Sequence, residues 1–421
     1  MHVVVLGAGV VGVSTAWYLA QAGHQVTVIE RQPQAGLETS FANGGQISVC
    51  HAEPWAGPKT PWKVLKWLGE EDAPLLYRFK ADWAQWRWGM RFLHECLPGR
   101  ARSNLQNLVR LGLYSRESLR QLRDGTGIEY DALTRGILHY YTDEAEFDSA
   151  VKAAAAMREI GLDRLVKTPA ECAEIEPALR YTRRAIVGGT YTATDESGDA
   201  MKFTQALAQL CAAAGVVFRY DTTVEKLLPT SDDIDGVQLG WQENGEARSE
   251  ILRADAYVVS IGSYSPLLLR PFGVTLDVYP AKGYSATIPV RDGDTAPSVA
   301  MTDGGYKIVF SRLGDRLRVA GTAEINGYNL DLTPVRCQML IDRTREIFPH
   351  AGDFDAAEFW TGLRPTTPSN LPYIGQVADC KSLWVNTGHG TLGWTEACGS
   401  GRALAELIDG RDPGVDFPFL R

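Results

Sequence analysis

A chain of 421 residues, 45% hydrophobic and 22% charged, has material for a large core and is longer than one ordinary domain, so two interleaved or successive domains are expected. Its formal net charge of -9 argues against nucleic acid as a general partner, because phosphate binding needs a basic surface. Seven cysteines without a C-x-x-C pair argue against a zinc or disulfide framework, fitting a reduced cytoplasmic compartment, and no run of 18 apolar residues is present to span a bilayer.

Residues 2–6 form a short valine-rich run, a strand by composition, and Gly7, Gly9 and Gly12 follow in the G-x-G-x-x-G spacing. A helical segment at 10–22, opened by Val10 and Val11 and closed by Gly23, leads to a second strand at 25–29, followed by Glu30 and Arg31. Gly7 permits a tight turn, Gly9 lets a pyrophosphate approach the backbone, and Gly12 lets the helix pack against the strand. The helix N-terminus favours negative charge there. Glu30, 18 residues after Gly12, is placed to accept hydrogen bonds from a ribose diol. A signal peptide is the other reading of an apolar start; with no basic leader or cleavage site, the chain is expected to be unprocessed from Met1.

The polar, glycine-rich stretch at 38–46 contains Ser40, Asn43, Gly44, Gly45 and Gln46. It reads as a loop returning to the ligand, which favours the extended FAD over NAD; an ordinary surface loop is the alternative. Between 54 and 98 stand six of the eleven tryptophans (Trp55, Trp62, Trp67, Trp83, Trp86 and Trp88), interspersed with lysine and arginine. Over residues 55–91 this suits either an amphipathic segment at a membrane interface or a helical cap packed on another domain, the packed cap being favoured.

Further on, a helix is expected at 101–124, a strand at 136–141, a helix at 144–160, and another opened by Thr168-Pro169 with Thr168 as N-cap. A polar turn at 195–199 opens a helix at 200–214, followed by strands at 216–219 and from 222 onward, through Val224. The strand at 255–261, carrying Ser260, ends in Gly262, the kind of strand end at which open α/β sheets bind ligands. Residues 276–330 alternate like an antiparallel sheet, with strands at 285–289, 306–311 and 316–322 and Lys282, Tyr284, Tyr306 and Arg318 as notable polar side chains. Gly362-Leu363-Arg364-Pro365 reads as a rigid turn presenting its arginine. A strand at 383–386 then feeds the loop of Gly388, His389, Gly390, Thr391 and Leu392, and a helix at 395–408. That loop is a second anion-facing site, suited to the N1 and O2 edge of a reduced flavin. No metal-ligand cluster, paired carboxylates or Ser/His/Asp arrangement is apparent.

Taken together, the N-terminal fingerprint and residues 40–46, 261–265, 280–284, 362–365 and 386–394 resemble the D-amino acid oxidase and glycine oxidase group of FAD enzymes, and within it the bacterial D-amino acid dehydrogenase small-subunit type. The likeness runs over nearly the whole chain. The expected fold is α/β: a Rossmann-like FAD-binding domain of residues 1–53, 192–268 and 352–421, with an interleaved α+β substrate or cap domain of residues 54–191 and 269–351 built on an antiparallel sheet. The resemblance implies oxidative deamination of D-amino acids to 2-oxo acids and ammonia, with electrons passed to a respiratory quinone or dye, and peripheral contact with the inner face of the cell membrane is open. By the family's motif Arg364 clamps the substrate carboxylate; a core salt bridge is its other reading. Gly362 counts among the cofactor contacts, and His389 is assigned to positioning and electrostatics. Tyr284 and Tyr306 are candidates to bind the carboxylate or close the pocket.

Cys50-His51 departs from the family's Gly-Tyr, so His51 is a pocket-wall candidate, with a covalent flavin link as its other reading. Glu396 stands where an apolar residue is common, and Pro368-Ser369-Asn370 replaces a Pro-Asp-Gly turn; these departures bear on substrate identity. Three rivals remain. An oxygen-using glycine or secondary amine oxidase shares the fold, an NAD-linked reductase has no use for the C-terminal loop, and a non-catalytic flavin-binding protein need not keep Arg364.

Overall fold

The computed structural model describes residues 1–67, 69–71, 73–231 and 233–420. Its first strand, β1 (His2–Leu6), is buried along Val3, Val4, Val5 and Leu6, as a run of β-branched and aliphatic residues with both faces covered must be. The helix α1 (Val10–Gln21) follows without a capping side chain, because Gly9 occupies its N-cap. The strand β2 (Gln25–Ile29) then pairs with β1 in parallel, closing the βαβ half-unit.

β1 lies inside a six-stranded sheet ordered Tyr373–Gln376, Leu383–Thr387, Ala256–Val259, β1, β2, Val217–Arg219. All neighbours are parallel except the edge strand Tyr373–Gln376. On one face α1, the helix Ala200–Ala213, the C-terminal helix Gly393–Ile408 and the long helix Pro98–Thr126 bury Val13, Leu19, Phe203, Leu404 and Leu111 in one cluster. Apolar side chains of the strands Thr222–Pro229 and Ile234–Glu243, from a three-stranded antiparallel meander completed by Glu246–Leu252, join the cluster on the other face.

A second, nine-stranded sheet is mostly antiparallel. Its strand Tyr279–Pro289 lies between Glu358–Thr366 and Arg316–Ile325, and Ile308–Leu313 follows outward. The helix Pro334–Ile347 contributes Leu340 and Ile341 to its core, beside Phe310 and Val319.

Several expected elements appear with shifted bounds. Pro98 starts the long helix at its first position, three residues before 101, and Gly127 ends it in the left-handed conformation. Thr168 forms a complete capping box with Glu171. The strand expected at 285–289 begins at Tyr279, because a bulge between Lys282 and Tyr284 continues the ladder instead of ending it. The strand expected at 306–311 is Ile308–Leu313, since Lys307 takes a positive φ of 57° in the turn before it. Residues 362–365 are not a turn: Arg364 lies within the strand Glu358–Thr366, opposite Ala281.

The tryptophan-rich segment divides. Trp88 is buried in the helix Trp83–Glu95, stacks on Phe92 and donates from its indole nitrogen to the Thr366 carbonyl at 2.9 Å, as a packed cap would. Trp62 (75% exposed), Trp83, Trp86, Leu65, Met90 and Leu93 stay exposed.

Candidate FAD and substrate site

Between the two sheets lies a cavity of about 650 Å³, walled by the β1–α1 turn, the 38–46 loop, the ends of the central strands and the 387–393 loop. Of the cofactor-binding candidates named from the sequence, all except Gly12 line it; of the catalytic candidates His51, Tyr284 and Arg364 do, and Tyr306 does not.

The three fingerprint glycines have different reasons to be there. A Cβ on Gly12 would sit 2.0 Å from the Gly7 carbonyl oxygen, so its absence is what brings α1 against the turn, and it does so without facing the cavity. Gly7 has φ +104°, and a Cβ there would lie 2.8 Å from the Ser260 carbonyl oxygen. A Cβ on Gly9 would meet only Ser40 Oγ, at an ordinary 3.7 Å. Nothing in the protein demands glycine at position 9; the space it leaves belongs to whatever fills the cavity.

Glu30 is held by two backbone donors, the Ala8 N–H at 2.7 Å and the Gln32 N–H at 2.9 Å, one on each carboxylate oxygen. Burial raises its pKa, and those donors oppose the rise. The carboxylate keeps lone pairs for a ligand donor. Ser40 Oγ accepts from the Val10 N–H at 3.0 Å, tying the 38–46 loop to the first turn of α1. The same loop is fixed to the second sheet: Arg318 donates to the Asn43 carbonyl at 3.1 Å, and Ser311 to the Gly44 carbonyl at 2.7 Å. A loop anchored to both sheets spans the cavity.

Two polar atoms on cavity-lining residues, Ser260 Oγ and Asn386 Oδ1, are buried without a hydrogen-bond partner among the described residues. Together with the glycine cradle, the pinned acid and the cavity's length between two glycine loops, they fit a long dinucleotide such as FAD. His389 is fully buried beside Ser400 Oγ (3.1 Å), and burial lowers its pKa to about 3. It is a neutral imidazole, so the electrostatic part expected of it falls instead to the N-terminus of the helix Gly393–Ile408. Three residues into that helix, Glu396 is fully buried with both carboxylate oxygens unpartnered among the described residues, and burial drives its pKa well above the carboxylate range.

His389 bridges Thr366, and two residues before that threonine Arg364 leaves the same strand, crosses the neighbouring strand over Gly283, and donates to the Thr322 carbonyl at 2.7 Å. Only glycine admits this path, because a Cβ at 283 would lie 2.4 Å from the guanidinium carbon. Thr322 has a φ of 56°, rare for a β-branched residue, and so marks local strain. No carboxylate lies within ion-pair distance of Arg364 among the described residues, which leaves its core-salt-bridge reading without a partner. Burial, then the nearby Arg336, lowers its pKa to about 10, so it remains a cation at neutral pH.

His51 lines the cavity with its pKa lowered to about 4, first by burial and then by Lys307, Arg164 and Arg364. The tyrosines depart from expectation. Tyr284 borders the cavity, but its hydroxyl is committed to Glu324 (2.6 Å) and Thr333 (2.9 Å). Tyr306 points away, its ring under the Arg343 guanidinium at 4.3 Å. The neighbour overlooked in the sequence, Lys307, faces the cavity instead. Both residues lie in the turn before the strand Ile308–Leu313, where the positive φ of Lys307 breaks the alternation expected of a strand.

Comparison with known proteins places these features in a wider set. The sequence profile of the FAD dependent oxidoreductase family matches residues 2–407. The chain is 61% identical over 421 residues to a protein of Dechloromonas aromatica named D-amino acid dehydrogenase, covering all of both chains, and 54% identical to one of the same name from Paramagnetospirillum magneticum, covering 100% of this chain and 98% of that one. Among solved structures it is similar to glycine oxidase from Bacillus cereus (TM-score 0.73, 23% identity, 97% of this chain and 95% of that one) and from Geobacillus kaustophilus (TM-score 0.74, 22% identity, 98% and 96%). At those identities the structural likeness speaks for the fold alone.

Proposed function

The chain belongs to the FAD dependent oxidoreductase family, and from that premise we propose that it is a D-amino acid dehydrogenase, converting D-amino acids to 2-oxo acids and ammonia. The observation that carries the reading is Arg364: a buried guanidinium bordering the cavity, carried across a glycine to get there, with no acid of its own.

FAD, when bound, supplies the acceptor for the hydride leaving the substrate α-carbon. Gly7, Gly9 and the α1 N-terminus would hold its nucleotide part, Glu30 would accept from its ribose, and the 38–46 loop would contact the rest of the cofactor. Arg364 holds the substrate carboxylate as a planar, two-pronged donor and so fixes which hydrogen of the α-carbon faces the ring. His51, neutral at physiological pH, borders the same space as an imidazole able to accept a hydrogen bond from the amine. In this reading residues 1–53, 192–268 and 352–421 are the cofactor half and 54–191 and 269–351 the substrate half, except that the strand Glu358–Thr366 pairs with Tyr279–Pro289 and so belongs to the substrate half's sheet.

The electron acceptor in this reading is a quinone. Among the described residues no helix is long and apolar enough to cross a membrane. Contact with quinone-bearing bilayers therefore falls to the exposed Trp62, Leu65, Trp83, Trp86 and Met90, interspersed with Lys59, Lys63, Lys66 and Lys80. Flotation with anionic liposomes checks this; protein that stays in the dense fraction removes the bilayer from the scheme.

The primary test is an anaerobic absorbance spectrum of the purified holoenzyme before and after addition of D-amino acids, L-amino acids and glycine. Bleaching of the flavin band by D-enantiomers is expected, with reoxidation by a quinone faster than by air. Bleaching by glycine alone, reversed by air, would instead make the protein an oxygen-using oxidase.

A further inference from the structure

The cavity contains a second cation that nothing in the protein neutralises. Lys307 sits in the turn leading into Ile308–Leu313, left-handed at φ 57°, and lines the cavity with its ammonium free of any hydrogen bond or ion pair among the described residues. The acids nearest in charge, Glu53 and Glu146, do not reach it; Glu53 lies 3.6 Å from Arg164 instead.

Sheet register brings Lys307 toward Arg364. The guanidinium crosses Gly283 and ends on the Thr322 carbonyl. Gly321, the residue before Thr322, pairs with Ile308, and a Cβ on Gly321 would lie 3.0 Å from the Lys307 carbonyl oxygen. Arg364 and Lys307 thus border one stretch of cavity wall that includes Gly283 and Gly321, and His51 feels the charge of both. After burial, the cations whose field lowers the Lys307 pKa are Lys63 and Arg164, and an anion entering the cavity relieves that repulsion. The one anionic group that every amino acid substrate brings is its α-carboxylate.

Resting on the D-amino acid reading of the site, we propose that Lys307 is the second carboxylate-binding residue, so that the substrate carboxylate is held between Arg364 and Lys307 above Gly283 and Gly321. The amine and the α-hydrogen are then oriented by two fixed points instead of one, which a single guanidinium hinge does not provide. No proton or electron is transferred by Lys307 in this role.

The test compares propionate with its neutral amide, propionamide, binding to the FAD-loaded enzyme, followed by calorimetry and by the change in flavin absorbance. Lys307→Met is expected to weaken propionate roughly tenfold or more and to leave propionamide unchanged, with Lys307→Arg restoring most of the loss. KM for D-alanine should rise by about the same factor and kcat should fall with the lost orienting contact, Lys307→Arg recovering both, a rescue that loosened packing would not show. Propionate affinity within about twofold of wild type, or an equal loss for the amide, would overturn the proposal. So would a loss confined to substrates with acidic side chains. Should Lys307→Met fail to retain FAD, Lys307→Gln against Lys307→Arg decides by the same criterion. Lys307-dependent propionate binding in an enzyme that no D-amino acid bleaches would uphold the two-cation site and overturn the substrate assignment.

Discussion

The two ends of the cavity are built from different materials. The nucleotide end is backbone: three glycines, two N–H groups on Glu30 and a helix terminus, all within 32 consecutive residues. The proposed substrate end is side chain: Arg364, carried over Gly283 from the strand Glu358–Thr366, and Lys307, from the turn before Ile308–Leu313. A backbone cradle tolerates change in its neighbours but not in its glycines. A side-chain clamp works the other way, with each charge replaceable in kind at a graded loss.

That contrast is most sharply tested at Gly12. Gly12→Val forces a methyl-bearing carbon against the Gly7 carbonyl and should cost about 3 kcal/mol, seen as a lower Tm and loss of the flavin-to-protein absorbance ratio. Gly9→Ala is its counterpart: an unchanged Tm of the FAD-free protein with weakened FAD retention, because only the ligand contests that space. If both variants behave alike, the distinction between packing glycine and ligand glycine fails.

Acid should attack the Arg364 side of the cavity through buried imidazoles. His389 and His51 have native pKa values of about 3 and about 4, below the ordinary value of 6.5. The unfolded chain therefore gains protons first as pH falls, and stability present above about pH 6.5 is lost progressively below it. His389 alone would remove about 2 kcal/mol between pH 6.5 and 5, and His389→Gln should flatten the Tm-versus-pH curve over that interval.

At the clamp, Arg364→Lys should raise the KM for D-amino acids tenfold or more, about 1.4 kcal/mol, with FAD content unchanged. A simultaneous loss of FAD would show that the two ends are not separable.

The smallest expected effect lies behind the cavity. Glu396 keeps its proton in the folded protein at pH values where the unfolded chain has lost it, so its contribution is most favourable below about pH 4.5 and is lost as pH rises. Glu396→Met should therefore stabilise by about 1 kcal/mol at neutral pH and by more at pH 9 than at pH 5, read from Tm.

The nucleotide end was legible because its determinants are local. Glycine spacing, a valine strand and a terminal acid lie within one βαβ half-unit, and no distant residue is needed to interpret them. Arg364 was found through a family motif, yet its local conformation was misread, since a strand that passes beside a glycine bulge looks like a turn in sequence. Lys307 was missed for a smaller reason. Tyr306-Lys307 offers two polar candidates, and a positive φ at the second decides which faces inward, a choice that alternation alone does not make. The strand Glu246–Leu252 escaped because most of it is exposed on both faces, leaving no period-2 signal.

The order of strands in the parallel sheet has a consequence for biosynthesis. β1 is made long before its neighbour Ala256–Val259, and longer still before the strand Leu383–Thr387 and the 387–393 loop that closes the cavity. At about 5–20 residues per second, roughly 20–80 s separate the first wall from the last. Through that interval the nascent chain carries an unfinished cradle, and the cavity is walled on all sides only once residues 387–393 have been made.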